Sequence, residues 1–193
     1  MDENNVLQQL IKTINNAQKL KIEYGITGQE VNRDNNDIIT FSSNTTMEVN
    51  YSEKRASRST TRSDFSGTYI TKEVFEKYKE EIIEKDSNSE LETSSIVTYS
   101  EDDYNKLFNP GGKLHPLQVE ELIPVDNKMN NNSCQVCIPS KVITDSIPGY
   151  IKSTYAIYQK DENYYDITMI MSQLDKETDI QLMQYCNTRI YNM

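Results

Sequence analysis

Residues 150–171, YIKSTYAIYQKDENYYDITMIM, carry the clearest β-strand pattern in the sequence. Two runs rich in aromatic and β-branched residues, 150–159 and 164–171, flank the polar connection KDEN at 160–163. Such runs on either side of a short polar connection predict an antiparallel β-hairpin. No regular alternation of strands with helices surrounds this hairpin, so the sequence does not predict a parallel Rossmann-type sheet.

The first fifty residues predict a helix followed by strands. Apolar residues recur at helical spacing over residues 4–18, and over residues 20–26 the spacing changes to every second residue. Residues 38–41 and 47–51 alternate in the same way, which predicts two strands of a hairpin around a turn at 43–45.

Helix signals recur later in the chain. Thr71 is a suitable N-cap for a helix over residues 71–85, and Ser100 with Asp103 forms the capping pattern of a short helix. A C-terminal helix is predicted after residue 172, with four apolar residues on one face: Leu182, Met183, Cys186 and Ile190. The predicted fold class is therefore α+β, with antiparallel β-hairpins and amphipathic helices packed on one side.

Residues 114–149 carry weaker signals than the segments on either side. They predict one or two helical turns at 117–123, a polar loop at 130–133, and irregular chain or a short helix at 138–147.

The stretch DSNSELETSS at residues 86–95 has the composition of a linker, because it lacks periodicity and is rich in serine, asparagine and acidic residues. We therefore predict an N-terminal α+β subdomain over residues 1–88 and a C-terminal α+β subdomain over residues 89–193. A single compact domain is the alternative, since a chain of 193 residues can bury roughly 70% of its unfolded surface in one core.

The composition narrows the class of protein. A formal net charge of −10 argues against a general affinity for nucleic acids or anionic membranes, because their phosphates are repelled by most of the surface. No apolar run approaches the ~20 residues that span a bilayer, and the N-terminal residues do not show the pattern of a secretory signal. Three cysteines make no disulfide framework, so we expect a reducing, cytoplasmic setting.

Residues 54–62 contain no acidic residue and hold four positive charges, on Lys54, Arg55, Arg58 and Arg62. A concentrated positive segment on an acidic chain indicates a site for an anion or an acidic partner, because arginine offers a planar fork of donors. The arginines would share one face of a helix, whereas the intervening serines and threonines favour a loop. The alternative interpretation is a solvated connection that balances nearby acidic residues.

Tyrosines crowd the predicted hairpin of residues 150–171, and Tyr158 and Tyr164 are candidate partner-binding residues. Tyrosine is enriched in interfaces because it gives a large contact area at a low entropic cost. The alternative is packing between neighbouring strands, since aromatic pairs stabilise hairpins by themselves.

The chain has four residues that favour zinc: His115, Cys134, Cys137 and Cys186. Together they are enough for one tetrahedral site, and Cys134 and Cys137 form a CxxC motif. Against this, the other two are not paired at short spacing, and Cys186 lies on an apolar pattern where a buried cysteine is simply a small hydrophobic residue. The sequence leaves zinc binding and inert thiols as alternatives, and it predicts no other cofactor.

No GxGxxG, HExxH or GxSxG motif occurs in the sequence. We therefore predict a non-enzymatic, acidic binding protein whose partner is another protein, acting as an inhibitor or adaptor. Its acidity would also suit a nucleic-acid mimic. The small size, acidity and lack of catalytic motifs fit a protein of a virus or mobile element, and the abundance of asparagine, isoleucine and tyrosine, whose codons are AT-rich, suggests an AT-rich host. The alternatives are a nucleic-acid or phosphate-ligand binder acting through residues 54–62, and a small metal-dependent enzyme or zinc module.

Overall fold

The structure is a computed structural model that describes residues 5–89, 91–116, 123–124, 133–143, 149–161, 163–175 and 180–193. Within the helices and strands, only the backbone is described at 5–8, 123–124, 133–143, 149–158, 160–161, 169 and 171–175.

The described residues form two helices and eleven strands. In chain order they are α1 Asn5–Asn16, β1 Lys19–Asn32, β2 Asp37–Asn50, β3 Arg55–Asp64, β4 Gly67–Glu76, β5 Lys79–Asp86, β6 Glu92–Thr98, α2 Glu101–Lys106, β7 Ile123–Pro124, β8 Ser133–Ile143, β9 Gly149–Asp161, β10 Tyr164–Asp175 and β11 Ile180–Asn192.

All eleven described strands belong to one antiparallel sheet, in the order β6-β5-β4-β3-β2-β1-β11-β10-β9-β8-β7. The sheet therefore consists of two meanders, one formed by β1 to β6 and the other by β7 to β11. Pairing of β1 with β11, from Leu20 opposite Asn192 to Asn32 opposite Ile180, joins the two. The predicted boundary at residues 88 and 89 falls in the connection from β5 to β6, and these neighbouring strands lie in the same sheet.

The prediction of an α+β fold class is wrong, because the described chain is mostly antiparallel sheet. Residues 71–85 form the hairpin of β4 and β5 instead of a helix. Lys77 and Tyr78 both adopt positive φ values, 52° and 65°, between these strands. Two consecutive residues of this conformation form the tight turn that suits the twist of a hairpin, and a helix cannot contain them.

The predicted C-terminal helix is also wrong, since residues 180–192 form β11 between β1 and β10. Leu182, Cys186 and Ile190 are spaced by four residues, an even number, so they share a face in a strand as well as in a helix. Met183 distinguishes the two cases: it points to the opposite side and is 43% exposed.

Shorter segments also differ from the predictions. The expected turn at 43–45 lies inside the continuous strand β2, and the chain turns at 33–36 instead. Part of the expected linker forms β6, residues 54–62 lie largely in β3, and residues 138–143 continue β8. The helical turns predicted from residue 117 and the loop predicted at 130–133 lie largely outside the described residues.

Other elements are confirmed. The N-terminal helix is α1 and the first strand is part of β1. The hairpin predicted over residues 150–171 is the pair β9 and β10. Ser100 is the N-cap of α2, with its hydroxyl accepting from the backbone N–H of Asp103 at 3.1 Å. No helix among the described residues is long and apolar enough to cross a membrane.

The core lies on one face of the sheet, which we call the inner face. Cross-strand pairing places Leu20 opposite Val49, Val49 opposite Ala56, and Ala56 opposite Phe75, and all four are buried. The two helices and the chain after α2 contribute Leu10, Ile14, Tyr104, Phe108 and Leu114 to the same cluster. The other side of the sheet is the outer face.

Candidate binding cleft beside a buried charged cluster

Strands β3, β4 and β5 carry the candidate site on the inner face. Their cross-strand rows begin with the buried Ala56 and Phe75, and the rows beyond become polar. The next three rows are Arg58, Glu73 and Ile82, then Thr60, Thr71 and Glu84, and finally Arg62, Tyr69 and Asp86. The inner face thus changes within two rows from a hydrophobic core to a charged surface.

Three residues of the inner face and two from the chain that packs on it form what we call the charged cluster. They are Arg58, Glu73 and Glu80 of the sheet, with Tyr99 and Lys113. Arg58 donates to both carboxylate oxygens of Glu73, and the ammonium of Lys113 lies 3.1 Å from Glu73 Oε1. Glu80 accepts from Lys113 and from the hydroxyl of Tyr99. The side chains of Glu73 and Glu80 are only 7% and 2% exposed, so both acids are buried with partners.

The protonation of the charged cluster follows from these contacts. Burial opposes the ionisation of Glu73, but hydrogen bonds from Arg58 and Lys113 outweigh it and lower its pKa to about 2. Burial, together with the hydrogen bond to Glu80, raises the pKa of Tyr99 to about 12. Glu73 is therefore a carboxylate and Tyr99 a neutral donor at neutral pH.

The chain from α2 to residue 116 covers the inner face at the charged cluster. Tyr104, 1% exposed, donates from its hydroxyl to the carbonyl of Lys54 at 2.9 Å. Tyr51 donates to the carbonyl of Leu114 at 3.2 Å, and Lys113 places its ammonium 5.2 Å from the ring centroid of Phe75. The charged cluster thus lies at a junction between the sheet and its cover.

Beyond the charged cluster, the inner face is open and forms a cleft of about 610 Å³. Its lining comes from four adjacent strands and the turns that join them. The residues that define it are Arg62, Tyr69, Thr71, Glu84, Asp86 and Thr93. We call this cavity the acidic cleft, for the balance of charges described next.

Three acidic residues and two cationic residues, Arg62 and Lys85, line the acidic cleft. Asp64 is held by hydrogen bonds from the side chain and backbone of Ser66, which lower its pKa, and it lies 3.4 Å from Arg62. Asp86 accepts from the backbone N–H of Asn88 at 2.8 Å. The side chain of Glu84 is exposed and makes no hydrogen bond or ion pair with any described residue. With three acidic and two cationic residues, the lining of the cleft carries one net negative charge.

The four cationic residues predicted as one site are distributed over different surroundings. Arg55 pairs with Glu76 at 2.8 Å, and alternation along β3 places it on the outer face, opposite to Arg58. Lys54 lies 5.3 Å from the ring centroid of Phe108, and Arg58 belongs to the charged cluster. Arg62, with 63% of its side chain exposed, lines the acidic cleft. The structure therefore brings only Arg62 to the candidate site.

The predicted tyrosine site lies away from the acidic cleft. Tyr164 stacks on Tyr191 of the neighbouring strand, with ring centroids 4.6 Å apart and an angle of 6° between the rings. This is the cross-strand packing that the sequence left open as the alternative. Tyr158 pairs with Asp166 along the backbone, and its side chain lies outside the described part of the structure.

The zinc candidates are only partly described. Cys186 is buried in β11, where burial raises the pKa of its thiol, and the Tyr24 hydroxyl lies 3.9 Å from its sulfur. His115 packs edge-on against Tyr51. Cys134 and Cys137 belong to β8, and their side chains are not described. Among the described residues, no three histidines, cysteines or acids are arranged to hold a metal ion, and zinc binding stays a prediction for elemental analysis.

The sequence did not single out Glu73, Glu80, Glu84, Asp86 or Lys113. In the helix predicted over residues 71–85, Glu73 lies in the first turn and forms an i, i+4 pair with Lys77, which predicts an exposed charge. Reading the same stretch as a hairpin places Glu73 two residues from Phe75, on the same face. Such a buried acid predicts a cationic partner, and Arg58 of the preceding strand, β3, is the nearest candidate.

Comparisons with known proteins give no family. No protein-family description matches the chain, and no curated protein matches it.

Three crystal structures share a weak overall likeness with it. They are the ywiB protein from Bacillus subtilis (TM-score 0.25, 9% identity, covering 91% of this chain and 94% of that one), a DUF1329 family protein from Desulfovibrio piger (0.28, 8%, 98% and 90%) and a putative AttH from Nitrosomonas europaea (0.23, 9%, 90% and 51%). At this level of similarity none of them indicates a fold or function for the chain.

Proposed function

We propose that the protein is a non-enzymatic, acidic binding protein of the cytoplasm, an inhibitor or adaptor whose partner is another protein. The acidic cleft is the surface that receives the partner, and a basic segment of the partner is what it binds. The observation that supports this most strongly is Glu84, an exposed carboxylate in a cleft of about 610 Å³ with which no cation of the described residues pairs. No cofactor is required for this action.

Electrostatics support a cationic ligand in two ways. At long range, the net charge of −10 attracts basic partners and raises the rate of encounter. At short range, three acidic residues of the cleft face two cationic ones, Arg62 and Lys85, so one lysine or arginine side chain of the ligand completes the charge balance. The hydroxyls of Tyr69 and Thr71 add hydrogen-bonding groups to the same wall.

The experiment compares two variants of β5 that change the net charge equally. Glu84→Lys places a positive charge in the acidic cleft, whereas Glu81→Lys places it on the outer face of the same strand. Binding of fluorescein-labelled hexalysine is measured by fluorescence polarisation. We expect Glu84→Lys to weaken the affinity about tenfold or more and Glu81→Lys to change it much less, because only the former charge contacts the ligand.

Equal losses in the two variants would show that hexalysine responds to net charge alone, which would contradict binding in the cleft. Absence of binding by the unchanged protein at low salt would overturn the proposed function itself.

The exposure of Arg62 favours a second candidate, the binding of nucleic acid or a phosphorylated ligand. Arg55 and Arg58 pair with acids of β4, whereas Arg62 lies 3.4 Å from Asp64 and keeps 63% of its side chain exposed, so this alternative depends mainly on Arg62. It predicts that the wild-type protein binds a labelled single-stranded oligonucleotide and that Arg62→Ala binds more weakly with a smaller salt dependence. No binding by the wild-type protein would remove this candidate.

A further inference from the structure

Strand β6 is an exposed edge that borders the acidic cleft. Within the described part of the chain it pairs only with β5, and all seven of its residues are exposed. An edge strand presents a row of unpaired N–H and C=O groups, which natural proteins usually protect with lysines, prolines or bulges. The sequence ETSSIVT of β6 contains none of these residues, and its pairing with β5 shows no bulge.

The open edge lies one strand away from the unpaired carboxylate of Glu84. Thr93 is the cross-strand partner of Glu84 and lines the acidic cleft with it. A strand added beside β6 would stand about 10 Å from β5, two inter-strand spacings. An inner-facing lysine or arginine of the added strand, opposite Thr93, would pass over the small threonine side chain toward Glu84.

The neighbouring positions of β6 specify the rest of such a strand. On the inner face, Thr93 is followed by Ser95 and then by Val97, which is 39% exposed. The residue opposite Val97 is therefore expected to be apolar. On the outer face, Ile96 is 65% exposed and offers a second apolar contact.

Charge argues for a different protein as the occupant, and against a second copy of this chain. Glu92 is the only charged residue of β6, so an antiparallel copy of β6 would bring no cation to Glu84. A second copy would also bring its own net charge of −10 against an equally acidic surface. A basic partner strand satisfies the backbone groups of the edge and the carboxylate together.

We propose that the partner binds by strand addition at β6, and that one of its basic side chains enters the acidic cleft and pairs with Glu84. This inference rests on the proposed function, because it names the binding mode and partner class of the same cleft. Backbone hydrogen bonds along β6 supply affinity, and the basic side chain supplies specificity.

The test uses a heptapeptide with valine at its second residue, lysine at its sixth and threonine at the other positions. In antiparallel pairing with β6, the lysine then lies opposite Thr93 and the valine opposite Val97. Its binding is compared with that of two N-methylated versions, one methylated at alternate residues and the other at the remaining ones. In an antiparallel pair, only every second residue of a strand donates its N–H to a given neighbour. We expect one methylated version to lose binding and the other to keep it. We also expect Glu84→Gln to lower the affinity for the unmethylated peptide and for the methylated version that still binds.

Amide hydrogen exchange gives a second readout on the full-length protein. Slower exchange along β6 when the unmethylated peptide is bound supports strand addition. Equal binding of the two methylated versions, or a self-association of the protein that the peptide does not compete with, overturns it. If hexalysine binds the acidic cleft but the heptapeptide does not bind, strand addition fails while the proposed function stands. If neither binds, both fail.

Discussion

Arg58 and Glu73 form a two-pronged ion pair across strands β3 and β4, with the guanidinium donating from Nε and Nη2 to the two carboxylate oxygens. The pair lies on the inner face, next to the buried row of Ala56 and Phe75. Through Lys113, which also contacts Glu73, it connects the sheet to the chain after α2. An arginine that the sequence presents as a ligand-binding residue is therefore part of the packing.

Replacing Arg58 tests this assignment. Arg58→Ala leaves Glu73 buried with Lys113 as its remaining cation, so we expect a loss of about 3 kcal/mol in the free energy of unfolding. Arg55→Ala, in the same strand, breaks an exposed pair and is expected to cost less than about 1 kcal/mol. Urea denaturation followed by circular dichroism measures both values. Similar losses in the two variants would contradict the burial of the Arg58 pair.

The pKa of Glu73 predicts an acid-dependent stability. In the unfolded chain the carboxyl has its ordinary pKa of 4.5, and in the folded protein the pKa is about 2. A lowered folded-state pKa stabilises the native protein above pH 4.5, and this contribution is lost as the pH falls from 4.5 to 2. Its size is on the order of 3 kcal/mol.

Glu73→Gln is expected to show a weaker fall of the free energy of unfolding between pH 5 and pH 2, roughly in proportion to this contribution. Denaturation curves at a series of pH values measure it, with Glu81→Gln on the outer face as the matched control. An unchanged pH dependence in Glu73→Gln would show that Glu73 is not held as a carboxylate by its partners.

Close packing at Gly28 predicts a difference between two glycines of β1. A Cβ atom at Gly28 would lie 2.4 Å from Phe41 Cζ and 3.0 Å from the carbonyl oxygen of Met183, whereas at Gly25 the nearest atom is Asn44 Oδ1 at 3.3 Å. We expect Gly28→Ala to destabilise the protein by about 1–3 kcal/mol through displacement of the ring and strand. Gly25→Ala should cost less, because the Asn44 side chain can turn aside. Equal melting temperatures for the two variants would contradict the packing of Phe41 over Gly28.

Local signals in the sequence were enough for some elements. Ser100 and Asp103 lie three residues apart and predict the start of α2 by themselves. The apolar spacing of α1, with Leu10 and Ile14 buried, has a period that only a helix satisfies in full. The two runs of aromatic and β-branched residues in residues 150–171 correctly predict β9 and β10, because one polar connection separates them.

The remaining elements depend on contacts between distant residues. The spacing of Leu182, Cys186 and Ile190 fits both a helix and a strand, and what decides between them is pairing with β1, some 160 residues earlier. The charged cluster could not be predicted from the sequence either, because Arg58 and Glu73 are 15 residues apart and face each other only once β3 and β4 pair. Tertiary structure here overrides the local preference for a helix.

Binding of a basic ligand in the acidic cleft can be observed residue by residue in an NMR titration of nitrogen-15-labelled protein with hexalysine. We predict that the largest amide shifts occur at Thr71, Glu84 and Asp86, and that they diminish between ~0.01 M and ~0.15 M salt as the charges are screened. Shifts distributed evenly over both faces of the sheet, or concentrated on the outer face, would contradict binding in the acidic cleft.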